Sequence, residues 1–403
     1  MMGTLDAVSR IDLSHLTVQR DGDEYTIGDP RISRFIRVPE PALYVIERAD
    51  GTRTVRDIQE QILQERELDV DVLDFMTQLQ ALGLAADVAP AADKRAMSLV
   101  DRLAERIGAL LFTGHAAWVY VSALAAVLLL FVLRPEFLPH YRDMFVLPVV
   151  GGNALFVSLI ACLLIFLHEC AHLLAARGVG VRARMRVNIR YIVIVAETEM
   201  TGLWGHAPAK RYFPYLAGMA WDCLLIATAL LVQLATEPDS IANDCARLVI
   251  LLLMLGILSQ FMVFLRTDLY FVLGNATHSA DLARSGRLFL RKLWRKDDDT
   301  REAWRRLPGT ERRAAAWFGA TYAIGIATMT VTLIIYSFPG GYTALSMAVR
   351  QISAYPVHSV PFWDGAVILL LAGARLLLYL KGARTAYRER RERRRQRLSH
   401  MGI

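Results

Sequence analysis

The chain has 403 residues, of which 54% are hydrophobic, and its mean hydropathy is +0.33. These values exclude an ordinary soluble enzyme, and because the apolar residues cluster in blocks they indicate a multi-spanning membrane protein. The formal net charge of +7 favours contact with anionic lipid, so a lipid bilayer is the expected partner and nucleic acid is not, although RNA binding by the basic tail stays open. The cysteines form no Cys-x-x-Cys pair, which indicates reduced, packed thiols; they are Cys162, Cys170, Cys223 and Cys245.

The first part of the chain predicts a small soluble domain in which strands precede helices. Residues 16–18, 25–27 and 35–38 alternate as strands do. A helix is predicted from Pro39, a turn at residues 50–52, a helix cap at residues 54–57, and a last helix that ends at Gly83. Short strands followed by three helices predict a winged-helix-like α+β domain.

This segment also resembles a known family. Residues 42–46, residues 50–55, Ile58 and the helix over 75–84 are similar to the PqqD-like family, also called the RiPP recognition element. The resemblance implies binding of the leader segment of a ribosomally made peptide, which pairs as an added strand on the sheet edge beside a helix. A winged helix that serves nucleic acid binding or dimerisation stays open as an alternative.

A linker follows this domain. Leu99, Leu103, Ile107 and Leu111 recur every fourth residue among charged residues. This spacing predicts an amphipathic helix that lies on the bilayer surface or against the helical bundle.

Six segments are long and apolar enough to cross a membrane: residues 116–133, 154–176, 213–234, 246–265, 316–338 and 363–381. Basic residues are concentrated after the second, fourth and sixth segments, at 177–190, 284–313 and 384–397. The positive-inside rule therefore predicts cytoplasmic N- and C-termini in the cell membrane. Residues 1–18 agree with this prediction because they contain no continuous apolar core of the kind found in signal peptides.

The second apolar segment contains the sequence His168-Glu169-Cys170-Ala171-His172. Positions i and i+4 of a helix share a face, so His168 and His172 can bind one metal ion, with Glu169 beside it as the base for the attacking water. Ionisable side chains are costly within a membrane and for that reason usually have a function there. Cys170 has a different helical direction and is interpreted as a packing residue, with metal ligation as the alternative.

A third metal ligand is expected from another segment at the same depth. His168 lies about 13 Å inside the cytoplasmic end of its helix. Asp268 follows the fourth segment, which runs towards that side, and is the predicted third ligand. Asp364 precedes Gly365 but begins the sixth segment on the outer side, so we expect it to be an interfacial end group. Asp222 is expected to contact a ligand side chain or the substrate, or else to form a hydrogen bond between helices.

Residues 150–285 resemble the site-2 protease family of membrane zinc metallopeptidases, in which a helix with His-Glu-x-x-His is followed by an intervening helix and then by an aspartate on the next helix. The resemblance implies Zn²⁺ bound by His168, His172 and Asp268, with Glu169 as acid and base. The usual Leu-Asp-Gly is replaced here by residues 266–269. The wider context is similar to the peptide zinc metalloprotease branch, which often carries a PqqD-like domain. The similarity lies in residues 201–204, Leu216-Ala-Gly218 and Asp268-x-Tyr270. Tyr270 and Asn275 are expected near the substrate or the ligands.

Two further features lie in predicted cytoplasmic segments. Residues 184–195 alternate with a period of two and predict a strand or hairpin beside the catalytic helix, either to align an extended substrate or as a purely structural element. His206 and His278 are interpreted as solvated loop residues, with an approach to the metal or substrate as the alternative.

Together these patterns predict a mainly α polytopic bundle in four parts: residues 1–92, a PqqD-like domain; 93–114, the linker helix; 115–382, a metallopeptidase domain; and 383–403, a basic tail. The predicted function is hydrolysis of a peptide bond in the maturation of a precursor peptide at the cytoplasmic side. A transporter or peptide-modifying enzymes are further expected partners. One alternative is a non-catalytic membrane protein that binds peptides for immunity or export. A membrane-tethered DNA-binding sensor is disfavoured because the first domain lacks a basic recognition helix.

Overall fold

The structure is a computed structural model that describes residues 5–85, 99–112, 114–190, 193–279, 281–294 and 297–400. It is mainly α-helical with small antiparallel sheets, which confirms the predicted fold class. The chain divides into two compact units. One contains Met1–Leu129, Leu164–Ala227 and Gly256–Met329, and the other contains Leu130–Leu163, Thr228–Leu255 and Thr330–Ile403. The predicted boundary at residues 92 and 93 lies outside the described residues.

The N-terminal domain contains two small sheets and three helices. Its strands are β1 (Arg10–Asp12), β2 (Thr17–Asp21), β3 (Glu24–Asp29), β4 (Arg34–Val38) and β5 (Asp50–Thr54), and its helices are α1 (Glu40–Arg48), α2 (Val55–Arg66) and α3 (Val72–Ala81). One sheet has the order β2-β3-β4, and β1 pairs with β5 in the other, all antiparallel. The predicted turn at residues 50–52 is therefore part of a strand, because Asp50 pairs with Asp12 while Gly51 takes a φ of +80°.

The core of this domain is formed by the inner faces of its sheets and helices. Leu13, Ile27, Ile62, Met76 and Leu79 have no exposed surface, and full burial of each such side chain contributes about 1.5–3 kcal/mol. The helix cap predicted at residues 54–57 is confirmed, because the Thr54 and Asp57 side chains each accept a hydrogen bond from the other residue's backbone N–H.

Six helical segments are long and apolar enough to cross a membrane, which makes the chain a multi-pass membrane protein. The first four are α5 (Gly114–Leu133), α6 (Val150–Gly178), α7 (Pro208–Ala235) and α8 (Ile241–Gln260). Leu128, Leu129 and Val132 on α5 are exposed, as expected for side chains that face lipid. The fourth predicted segment extended to residue 265, but α8 ends at Gln260 because that residue binds the loop that follows.

The fifth span is longer than predicted, whereas the sixth has about the predicted length within a longer helix. Helix α12 (Gly309–Thr332) continues through a π-helical turn, Leu333–Ser337, into α13 (Phe338–Ala354), so that 46 residues are helical. A membrane crossing needs only about 20 residues. Helix α14 (Val360–His400) is apolar over Val360–Leu377 and then enters the basic tail.

The amphipathic linker helix α4 (Leu99–Leu111) packs against the end of α6. A Cβ atom added to Gly108 would lie 1.9 Å from the carbonyl oxygen of Leu174, and one added to Gly178 would lie 2.6 Å from the carbonyl carbon of Gly108. The two backbones are therefore in direct contact. This agrees with the predicted alternative in which the linker helix lies against the helical bundle. The linker helix was predicted over residues 93–114, and residues 93–98 of that segment lie outside the described residues.

The segments between the spans also form regular structure. After α6, strands β6 (Arg184–Arg190) and β7 (Val193–Glu199) form the predicted hairpin, followed by a 3₁₀ turn at Thr201–Gly205. After α8, the chain forms α9 (Asp268–Thr277), α10 (Leu282–Trp294) and α11 (Asp298–Arg306). Helices α10 and α11 occupy the basic segment that the sequence analysis treated only as a charge run.

Candidate metal centre

Helix α6 places His168 and His172 one turn apart on the same face. Their Nε2 atoms lie 3.1 Å from each other. His172 is buried, with 2% of its surface exposed, and the His168 side chain is 12% exposed. Both imidazoles therefore direct the same ring nitrogen towards one point, as the i, i+4 spacing predicts.

Asp268 completes a group of three donors. Its Oδ2 atom lies 3.1 Å from Nε2 of His168 and 3.1 Å from Nε2 of His172. The structure thus brings together the three residues that the sequence analysis selected as ligands.

The loop after α8 sets the position of Asp268. The side-chain carbonyl of Gln260 accepts a hydrogen bond from the backbone N–H of Asp268 at 3.0 Å, and its backbone carbonyl accepts one from the Thr267 hydroxyl at 2.6 Å. Arg266 takes a left-handed conformation with a φ of +57°. Gln260, at the end of α8, therefore binds Thr267 and Asp268 at the far end of the loop, where α9 begins.

The geometry of these donors fits a tetrahedral metal ion. Zinc bonds to nitrogen and oxygen are about 2.0–2.1 Å long, so two ligand atoms on a tetrahedral zinc lie about 3.3 Å apart. The three donor atoms, separated by 3.1 Å each, would leave one position of the tetrahedron for water or substrate. Two imidazoles and one carboxylate are also a donor set that zinc accepts.

The second nitrogen of each histidine has an acceptor of its own. His168 Nδ1 lies 2.7 Å from Oδ2 of Asp222, and His172 Nδ1 lies 2.8 Å from the carbonyl oxygen of Pro214. Because a carboxylate and a carbonyl both accept, each Nδ1 carries the proton and each Nε2 keeps its lone pair for a metal. The structure places Asp222 beside a ligand, where the sequence analysis expected it.

Gly218 on α7 leaves the space that the donors need. A Cβ atom at this position would lie 2.3 Å from Nε2 of His168 and 2.5 Å from Nε2 of His172. Any larger residue would occupy the volume next to the two donor nitrogens. This requirement gives a physical reason for glycine at position 218, which the sequence analysis noted only within a longer motif.

Glu169 lies next to the donors and is held by the hairpin. The Thr198 hydroxyl, on β7, lies 2.7 Å from Oε2 of Glu169 and 3.1 Å from its backbone carbonyl oxygen. Because the hydroxyl has a single proton, it donates to one of these oxygens at a time. The hairpin thus contacts the residue expected to act as base, a role that its alternation alone did not indicate.

Asp364, which was predicted to be an interfacial end group of the sixth segment, contacts the start of a different helix. Its carboxylate oxygens accept hydrogen bonds from the backbone N–H groups of Gly151 and Gly152, at 2.9 and 3.2 Å. These groups lie in the first turn of α6 and have no acceptor within the helix. Asp364 is therefore a cap for α6.

The other candidate residues lie away from the donors. Asn275 is buried in a different network, where it accepts from Arg211 and donates to the Pro208 carbonyl. The Tyr270 ring packs edge-on against Phe271, with centroids 5.4 Å apart. Among the described residues, no hydrogen bond joins Tyr270 or Asn275 to the three donors. Cys170 is free and half-buried.

The two loop histidines differ from each other. His206 accepts a hydrogen bond at its backbone carbonyl from Arg211, and its half-buried ring has a pKa lowered by burial. His278 was interpreted as solvated, but its Nδ1 lies 2.5 Å from the buried carboxylate of Asp21. The side chain is nevertheless 41% exposed, which agrees with that interpretation, and the contact joins it to the end of β2 in the N-terminal domain at a separation of 257 residues.

Sequence reasoning also missed two residues that position the site, Thr198 and Gln260. Thr198 lies in a hairpin that the alternation of residues predicts. The alternation does not show which residue of the hairpin contacts Glu169 on α6. Gln260 is an isolated amide at a helix end, and its bond to Asp268 depends on the shape of the loop.

Comparisons with protein-family models, curated proteins and solved structures found no match.

Proposed function

We propose that this chain is a membrane-embedded zinc metallopeptidase that cleaves a precursor peptide. The observation that carries the proposal is the convergence of three donor atoms, each 3.1 Å from the other two, together with Glu169, which directly follows His168 in the same helix. A structural metal site would need no adjacent acid, and it would be closed by a fourth protein ligand. Among the described residues no fourth histidine, cysteine or acidic side chain joins the group.

The residues of the chain divide the chemistry between them. When bound, zinc supplies a Lewis acid and lowers the pKa of water towards about 7. His168, His172 and Asp268 hold the ion, while Asp222 and the Pro214 carbonyl orient the two imidazoles. Glu169 accepts the proton of the attacking water at its carboxylate and returns it to the nitrogen of the leaving amine. The Thr198 hydroxyl keeps that carboxylate in place between the two transfers.

The N-terminal domain supplies the substrate class in this proposal. Strand β4 pairs only with β3 within the described part of the sheet, so its other edge offers backbone groups to an added strand. Arg34 at the start of β4 donates to the Leu82 carbonyl at the end of α3, so this edge lies beside that helix. A leader peptide bound there would raise the local concentration of its own scissile bond near the zinc.

The sides of the membrane follow from charge. The basic segments after the second, fourth and sixth spans favour a cytoplasmic location for both termini and for the end of α6 closest to the metal site. Fusions of a fluorescent protein and of alkaline phosphatase to the C-terminus test this arrangement. We expect fluorescence and an inactive phosphatase, whereas an active phosphatase would reverse the orientation.

The activity is tested with full-length protein in detergent and with short peptides encoded beside its gene. We expect Glu169→Gln to reduce cleavage about 10²–10⁴-fold, as followed by mass spectrometry. Cys170→Ala is the matched control on the adjacent position and should cleave at the parent rate. Equal rates for Glu169→Gln and the parent would refute the mechanism. Bound zinc without cleavage of any peptide would favour a peptide-binding protein for immunity or export.

A further inference from the structure

A buried carboxylate lies where the N-terminal domain meets the membrane helices of the same unit. The Asp21 side chain at the end of β2 has no exposed surface. Its oxygens lie 2.9 Å from Arg37 Nη2, 2.6 Å from Arg211 Nη1 and 2.5 Å from His278 Nδ1. Burial of a carboxylate is unfavourable unless its charge is compensated, and here hydrogen bonds from Arg211 and His278 and the charge of Arg37 compensate it.

The three side chains around Asp21 come from three different elements. Arg37 belongs to β4 of the N-terminal domain itself, whereas Arg211 lies in the first turn of α7 and His278 directly follows α9. Asp21 therefore joins the sheet to two helices of the membrane part. The turn after β2 lies close to α9, since a Cβ atom added to Gly22 would be 3.2 Å from Cβ of His278.

The Arg211 side chain is buried, and three of its nitrogens donate hydrogen bonds. Its side chain is 1% exposed, and it donates to the backbone carbonyls of His206 and Trp204 as well as to Asp21. The Trp204 ring lies 5.3 Å from the guanidinium carbon of Arg211 and 5.7 Å from that of Arg37. Both distances are within the range of a cation–π contact.

The connection to the metal centre runs along α9. This helix has 10 residues, with Asp268 at its first position and His278 at its C-cap. A helix of this length is about 15 Å long, and continuous backbone hydrogen bonds connect its two ends. The contact of His278 with Asp21 at one end therefore sets the direction of α9, and with it the position of the Asp268 carboxylate at the other end.

A second contact reaches Glu169 from the same sheet. Gly205 in the 3₁₀ turn packs on β4 and β2, where an added Cβ atom would lie 3.1 Å from the Phe35 ring and 3.4 Å from the Thr17 hydroxyl. The same turn follows β7, which carries Thr198. The N-terminal sheet thus supports the two segments that hold the predicted third ligand and the predicted base.

We propose that Asp21 is a positioning residue, through which the N-terminal domain holds α9 and so keeps Asp268 in the metal centre. The domain is then a structural part of the catalytic unit and not only a tether for the substrate. The link to catalysis rests on the proposed metallopeptidase function, whereas the docking itself does not.

The test uses full-length protein in detergent, with zinc affinity measured by chelator competition and backbone mobility by hydrogen exchange. We expect Asp21→Asn to weaken zinc binding at least tenfold and to speed exchange in residues 268–278. Asp29→Asn is the matched control, because Asp29 is equally buried but pairs with Arg31 inside the domain. Parent values for Asp21→Asn in both measurements would overturn the proposal.

A second pair of variants covers the case in which Asp21→Asn does not fold. In His278→Asn the side-chain amide nitrogen can take the place of Nδ1, and asparagine accepts the φ of +51° at this position. We expect parent-like zinc affinity for His278→Asn and at least tenfold weaker binding for His278→Gly. Equal affinities of these two variants would contradict the role of the contact.

Failure of the two proposals can be told apart. If Asp21→Asn weakens zinc binding but Glu169→Gln still cleaves at the parent rate, only the peptidase mechanism is wrong. If the parent binds no zinc, the metallopeptidase proposal is wrong, and hydrogen exchange in residues 268–278 alone decides the docking. Unchanged exchange there would then overturn it.

Discussion

The hydroxyl of Thr198 lies 2.7 Å from Oε2 of Glu169, although the two residues belong to a hairpin and to a membrane helix. A hydrogen bond to a charged group contributes about 1.5–3 kcal/mol. In the proposed mechanism this bond orients Glu169, and Thr198 itself does not bind the peptide. Loss of the bond should therefore lower the rate of cleavage and leave the affinity for the substrate unchanged.

We therefore predict that Thr198→Val lowers kcat about tenfold and leaves KM unchanged in the cleavage assay. Valine has the shape of threonine without the hydroxyl, so the hairpin should keep its fold. Thr198→Ser retains the hydroxyl and should restore most of the rate. A rise in KM with an unchanged kcat would assign Thr198 to substrate binding.

Gly218→Ala should remove the metal without unfolding the protein. The added Cβ atom would lie 2.3 Å from Nε2 of His168, closer than carbon and nitrogen can approach. We expect less than a tenth of the parent zinc content, measured by mass spectrometry of the metal. Gly256→Ala on α8 is the control, because a Cβ atom there meets nothing within 4 Å. Normal zinc in Gly218→Ala would show that the donors lie elsewhere.

Asp222→Asn should weaken metal binding through His168. The carboxylate fixes the ring so that Nε2 faces the metal, and loss of such a partner typically costs 10–100-fold in affinity or activity, so we expect a reduction of about that size. The zinc dissociation constant, determined by chelator competition, is the measurement. If affinity stays at the parent value while the protein becomes less stable, Asp222 serves only as a hydrogen bond between helices.

Asp364→Ala should lower stability and spare the metal. The substitution removes the acceptor for two backbone N–H groups in the first turn of α6. Loss of a helix cap typically lowers the free energy of unfolding by about 0.5–2 kcal/mol. We expect a lower melting temperature in detergent together with full zinc content. Loss of zinc at an unchanged melting temperature would instead support Asp364 as a ligand.

The contribution of Asp21 to stability should depend on pH. Burial by itself raises its pKa, but the hydrogen bonds from His278 and Arg211 and the charge of Arg37 hold the pKa below the ordinary value of 3.8. A lowered pKa stabilises the fold at all pH values above 3.8, and this stabilisation is lost as the pH falls through the folded-state value.

The measurement is the difference in melting temperature between the parent and Asp21→Asn. We expect a constant difference between pH 8 and pH 5 and a smaller one below pH 3.8. A difference that already vanishes near pH 6 would mean that another group controls the docking.

The local and the long-range parts of the candidate site differ in how far the sequence predicts them. The helical spacing of His168 and His172 is local, and the depth of Asp268 follows from alternating charge between spans. Asp222 was placed near His168 by the same depth argument. The geometry of all four side chains agrees with these predictions, and their function stays a prediction.

The contacts of Asp21, Thr198 and Gln260 could not be predicted in this way. Asp21 and His278 are 257 residues apart, and their meeting depends on how the first domain packs on α9. The bond of Gln260 to Asp268 depends on a left-handed residue in a short loop. Helix α8 was predicted too long for the same reason, because hydropathy continues to residue 265 while the backbone already turns at Phe261.

The glycine of α7 has a consequence for the proposed metallopeptidase. A Cβ atom at Gly218 would lie 2.3 and 2.5 Å from the two Nε2 atoms, so the backbone of α7 lies directly against the donor nitrogens. A peptide substrate would therefore have to approach a metal bound by these nitrogens from the side opposite α7.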